Sequence, residues 1–64
     1  MTLNLSKEIY QKPSVLEAMK DYEKLARIQF GEADHYWNLY FFETRYDMQK
    51  TVSEFENYLI GIEQ

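Results

Sequence analysis

Apolar and polar residues change period several times along this chain, and each change marks an element. Thr2-Leu3-Asn4-Leu5-Ser6 alternates, with Leu3 and Leu5 on one side, which predicts a short half-buried strand. Pro13 precedes Ser14-Val15-Leu16-Glu17, a capping-box pattern in which Ser14 caps a backbone N–H while Glu17 reaches back. Val15, Met19, Tyr22 and Leu25/Ala26 follow at helical spacing, with Lys20, Asp21, Glu23 and Lys24 on the far side. That predicts a helix over about 14–26. Arg27-Ile28-Gln29-Phe30 returns to a period of two, with Ile28 and Phe30 inward. Gly31-Glu32-Ala33-Asp34 supplies a turn, and a longer strand runs from about His35 to Glu43. Trp37, Leu39 and Phe41 share one of its faces, and Tyr36, Asn38, Tyr40 and Phe42 share the other. Asp47 and Thr51-Val52-Ser53-Glu54 both offer caps for a last helix, on which Met48, Val52, Phe55, Leu59 and Ile62 form one stripe.

The predicted order is β-α-β-β-α, an α+β fold in one small domain over residues 1–64. A strand–helix–strand unit in one sheet crosses over right-handed. The following hairpin then inserts the third strand between the first two, giving a three-stranded sheet of order 1-3-2. Both helices lie on one face, against Leu3, Leu5, Ile28, Phe30, Trp37, Leu39 and Phe41. The other face is left without a layer of its own.

Size and composition narrow what such a domain does. A chain of 64 residues buries only ~60% of the surface its unfolded form exposes, so its core is marginal without further support. There is no cysteine, which removes disulfides, thiolate metal sites and thiol catalysis and fits a reducing cytoplasm. Six Tyr, four Phe and one Trp exceed what so small a core needs, which leaves room for a partner or for self-association into a homo-oligomer. A net charge of -4 with no Lys/Arg cluster argues against nucleic acid as a partner. No segment approaches the ~20 apolar residues that span a bilayer, and residues 1–6 lack the basic and apolar regions of a signal peptide, so a soluble cytoplasmic domain with no membrane partner is expected.

Catalytic chemistry finds few candidates. His35, the one histidine, stands beside Asp34 and near Glu32, an arrangement a general base could use. The plainer reading is a polar residue at a hairpin tip. One His with scattered carboxylates falls short of a transition-metal site, and the isolated Gly31 and Gly61 form no phosphate-cradling loop. The expectation is a protein that is not an enzyme by itself and holds no cofactor. The second face of the long strand is the stronger candidate for a partner-binding site: Tyr36, Tyr40 and Phe42, with Asn38 between them and Arg27 and Gln29 alongside. Aromatics bury about 150–250 Å² each in a complex, and Tyr is enriched at interfaces. The competing reading is that the first residues, the loop Lys7–Lys12 or the tail folds over this face. The sheet edges offer a second surface, able to take up an extended peptide as an added strand. Asn57, in mid-helix, reads as a solvated or core-bonded amide.

Over nearly its whole length the chain resembles the small HxsD-like proteins of the His-Xaa-Ser system and related peptide-maturation clusters. The resemblance is carried by Leu3-Asn4-Leu5-Ser6, Glu8-Ile9-Tyr10, the helix Val15-Leu16-Glu17-Ala18-Met19 and the closing Glu54-Phe55-Glu56-Asn57-Tyr58-Leu59-Ile60, where Phe55, Asn57 and Leu59 are similar to the family's Phe/Leu-x-Asn-x-Leu-type helical core. The sequence departs from that pattern after Ile60, where Gly61-Ile62-Glu63-Gln64 ends it early. The resemblance implies an accessory protein encoded beside a radical-SAM enzyme that modifies a ribosomally made peptide. One branch is similar to the small partner of a splicease, which excises a tyramine unit from a peptide backbone to leave an α-keto-β-amino acid. The implied function is a non-catalytic accessory that binds a precursor peptide, a radical-SAM maturase, or both, while the iron–sulfur chemistry belongs to the enzyme. The alternative is a small inhibitor or antitoxin-like interaction protein.

Overall fold

A computed structural model describes all residues, Met1–Gln64. The elements are β1 (Thr2–Ser6), α1 (Lys12–Asp21), β2 (Ala26–Glu32), β3 (Tyr36–Thr44) and α2 (Met48–Glu63). The strands form one antiparallel sheet in the order β1-β3-β2, as the sequence predicts. Its register pairs Leu3 with Leu39 and Leu5 with Trp37 on one side of β3, and Phe30 with Leu39 and Ile28 with Phe41 on the other. Directly opposed residues in a sheet point to the same face, so these apolar side chains make one apolar surface. Both helices cover it: the core joins Leu5, Trp37, Leu39 and Phe41 to Val15 and Ala18 of α1 and to Val52, Phe55 and Leu59 of α2. Phe55 sits edge-on to both Phe41 and Tyr22, with ring centroids 5.3 and 5.2 Å apart.

Three boundaries differ from the sequence reading, each for a local reason. First, α1 begins at Lys12 and not at Ser14. Pro13 occupies the first turn, where a missing N–H costs nothing, and the N-cap is Gln11 with no side-chain cap of its own. The predicted Ser14–Glu17 capping box is therefore absent. Its place is taken by Glu63 at the end of α2, whose carboxylate accepts from the Gln11 N–H at 3.0 Å. Second, α1 stops at Asp21. Tyr22 and Ala26 still point into the core, but through turns in which Leu25 N–H and Ala26 N–H both donate to the Tyr22 carbonyl. The apolar spacing continues past the helix because these turns keep the inward side. Third, Gly31 and Glu32 belong to β2 and pair with Asn38 and Trp37, which shortens the predicted turn to Ala33–His35.

The second helix starts where one of its two candidate caps allows. The Asp47 side chain accepts from the Lys50 N–H at 2.9 Å, and the Thr51 hydroxyl donates to the Asp47 carbonyl at 2.8 Å. No helix is long and apolar enough to cross a membrane.

Candidate functional site

The face of the sheet turned away from the helices carries the candidate site. Residues alternate across a strand, so with Trp37, Leu39 and Phe41 inward, Tyr36, Asn38, Tyr40 and Phe42 stand outward. The register adds Thr2 opposite Tyr40, Asn4 opposite Asn38 and Ser6 opposite Tyr36 from β1, with Gln29 and Gly31 opposite Tyr40 and Asn38 from β2. Tyr36 and Tyr40 are 49% exposed and Phe42 50%. Nothing in the chain folds over them. The segment after β1 turns toward the helices instead: Tyr10 is part of the core, and its carbonyl accepts from the Trp37 Nε1–H at 2.8 Å. The tail is taken up in α2, which ends on Glu63 against Gln11.

The arrangement within this face is specific. Tyr40 and Phe42 stack nearly parallel, with ring centroids 6.2 Å apart and an interplanar angle of 14°. They are same-face neighbours two positions apart, and β3 bulges beside them: Arg27 pairs with Glu43 and Ile28 with Phe41, which leaves Phe42 without a partner on β2. Gly31 contributes no side chain beside Asn38, so the face is lowest at Asn38, between Tyr36 and the Tyr40–Phe42 stack. The half-buried Asn38 amide is positioned there as a donor and acceptor.

Electrostatically the face is close to blank. Its single charged pair is Arg27 with Glu43, 3.5 Å apart at the bulged end and largely exposed, a geometry that adds little stability. The outward residues of β3 before Glu43 carry no charge themselves, and the nearest acids at the other end, Glu8 and Asp34, line a hollow beside Tyr36. Of the residues expected to meet a partner, Tyr36, Asn38, Tyr40, Phe42 and Gln29 are brought together. Arg27 lies at the margin, engaged with Glu43. Sequence reasoning missed Thr2, Asn4 and Gly31 on this face, although the inward phase of Leu3 and Leu5 already places Thr2 and Asn4 outward.

The remaining surfaces carry ion pairs and caps. Lys7 Nζ lies 2.7 Å from Glu32 Oε2 and 4.7 Å from the Trp37 ring, closing the end of the core beside the hairpin and holding the Glu32 carboxyl below its ordinary pKa. A hydrogen bond from Ser14 and a second from the Gln11 backbone lower Glu63. Tyr58 donates to Asp21, and that bond raises its phenol above the usual value. His35 is exposed and lines a shallow hollow with Ser6, Lys7, Glu8, Asp34 and Tyr36. No three His, Asp or Glu side chains converge in a way that could hold a metal ion.

No family model matches the chain, and neither a curated protein nor a solved structure matches it significantly.

Proposed function

We propose that this chain is a non-catalytic binding module of cytoplasmic peptide maturation, which docks a precursor peptide, its radical-SAM maturase, or both on the open face of the sheet. The observation that carries this reading is the row Tyr36-Asn38-Tyr40-Phe42, with its three aromatics about half exposed and no charge of its own, on an otherwise acidic protein. Large amphipathic aromatics around a polar centre are what interfaces concentrate. An exposed apolar patch also carries a solubility cost, so its presence on a folded domain favours a binding role. The link to peptide maturation rests on the resemblance to HxsD-like proteins in Leu3–Ser6, Glu8–Tyr10, Val15–Met19 and Glu54–Ile60, segments that here build the edge strand, the return to the helices and the two core-facing helices. Radical and iron–sulfur chemistry, including excision of tyramine if the enzyme is a splicease, is assigned to that partner.

Reconstitution tests this directly. The maturase is assayed on its precursor peptide with and without the chain, across peptide concentrations. The expected result is a higher rate with the chain present. A gain concentrated at low peptide indicates positioning, because held reactants gain effective molarity. A gain that persists at saturating peptide indicates support of the enzyme itself. Rates identical with and without the chain at every concentration overturn the proposal.

A further inference from the structure

The two outer edges of the sheet are built differently. Met1 and Phe41 exchange backbone hydrogen bonds, the Met1 amine donating to the Phe41 carbonyl at 2.9 Å and the Phe41 N–H to the Met1 carbonyl at 2.7 Å. The Lys7 N–H donates to the His35 carbonyl at 3.0 Å. Hydrogen-bonded and non-hydrogen-bonded pairs alternate along an antiparallel ladder, so these bonds set its phase. Met1, Leu3, Leu5 and Lys7 turn their backbone groups to β3, whereas Thr2, Asn4 and Ser6 turn theirs outward. The Ser6 carbonyl already accepts from the Ile9 and Tyr10 N–H groups. The N–H and C=O groups of Thr2 and Asn4 are left as a free set at the edge. Thr2–Ser6 contains no charge, no proline and no bulge, the usual guards of an edge strand. The other edge, β2, has guards: Arg27, Glu32 and a bulge opposite its start.

We propose that β1 pairs antiparallel with β1 of a second copy of this chain, in the register that sets Leu3 against the second copy's Leu3. This register makes Thr2 and Asn4 exchange both backbone bonds with the second copy's Asn4 and Thr2, and it asks nothing of the occupied Ser6 carbonyl. A register centred on Asn4 instead requires a third bond at that carbonyl. In the Leu3-centred register the half-buried Leu3 meets its own counterpart at the close, non-hydrogen-bonded position, and the exposed Met1 meets the second copy's Leu5. On the opposite face Thr2 and Asn4 side chains lie across from each other, polar against polar. Copies of net charge -4 repel one another, and the uncharged Thr2–Ser6 is the edge at which that repulsion is least. The product is a six-stranded sheet about a two-fold axis, with both aromatic faces on one side, forming one surface of double width.

Sedimentation and amide exchange on the chain alone, with one further exchange run in the presence of the precursor peptide, test this independently of the proposed function. The mass should rise with concentration from 7.8 kDa toward twice that value. The Thr2 and Asn4 amides should gain protection in parallel, while the Leu3 and Leu5 amides stay protected at every concentration. Thr2→Lys with Asn4→Lys sets lysines opposite one another across the axis, and should weaken association by about tenfold or more with an unchanged circular-dichroism spectrum. A wild-type chain that stays monomeric at its solubility limit overturns the proposal. So does a dimer that Tyr40→Lys breaks and the paired lysines spare, which would place the contact on the open face. Protection of Thr2 and Asn4 that appears only on adding peptide overturns it too, assigning the edge to a peptide strand. Should the double variant fail to fold, the wild-type amide pattern still decides.

Discussion

Neighbouring residues of β3 live under opposite conditions. Trp37, Leu39 and Phe41 are at most 9% exposed, whereas Tyr36, Tyr40 and Phe42 are about half exposed, although both sets are large and apolar. On the helix side every group is matched: Trp37 finds a carbonyl for its one N–H, and Phe41 finds the edge of Phe55. On the open side Tyr40 and Phe42 stack on each other with no layer above them, and the hydroxyls of Tyr36 and Tyr40 suit a wet surface. Folding therefore consumes one face of this strand and leaves the other unspent. Hydrophobicity alone does not separate the two faces; the layer above them does.

The largest effect that would break this comparison is on the covered side. Phe55→Ala should cost about 3–5 kcal/mol in urea unfolding, since the ring is fully buried between Phe41 and Tyr22. A cost near that of a surface change would mean the helix layer is loosely packed. Trp37→Phe keeps most of the packing but strands the buried Tyr10 carbonyl, and should cost about 1–3 kcal/mol by the same measurement. On the open side Tyr40→Ala should cost less than about 1 kcal/mol of stability, the range of one cross-strand pair, while weakening partner binding in calorimetry by about tenfold or more. If Tyr40→Ala unfolds the domain as readily as Phe55→Ala, the two faces are not distinct.

The smallest effect sharpens the comparison through pH. Glu63 is lowered from its ordinary 4.5 by Ser14 and Gln11, so its contribution is present above that value and fades as pH falls through the lowered folded-state pKa. Glu63→Gln should therefore lower the melting temperature slightly at neutral pH, and the difference from wild type should disappear in acid. Tyr40→Ala should show no such convergence.

Element order and the buried stripe of α2 are legible in the sequence because they rest on spacing, and the sheet order follows from the element order by the crossover rule. Leu3 and Leu5, then Trp37, Leu39 and Phe41, then Val52, Phe55 and Leu59 recur at the periods of their elements. What spacing could not deliver is the set of features made by distant residues. Ser14 and Glu17 have the composition of a capping box, but the cap at that helix comes from Glu63, and no local pattern announces a partner 52 positions from Gln11. Gly31 reads as a turn, yet it sits in a strand where its missing side chain opens space beside Asn38. The outward row Tyr36, Asn38, Tyr40 and Phe42 was visible as the opposite phase of β3. That it stays uncovered depends on where Tyr10 and α2 go, which is a tertiary outcome.

The placement of β1 bears on the order in which the molecule assembles. Its partner on β3 lies more than thirty residues away in sequence, with Leu3 against Leu39, whereas β2 reaches β3 through Ala33–His35 alone. Closing the short loop loses little chain entropy, while joining β1 requires the whole intervening chain to be drawn in. The hairpin with α2 can thus form as a nucleus before the sheet is complete, and β1 is stitched on late. Substitutions at Leu5 should then speed unfolding far more than they slow folding, and those at Leu39 should act on both rates. During synthesis, a ribosome that has released β1 and α1 holds them without a sheet to join until Thr44 has emerged.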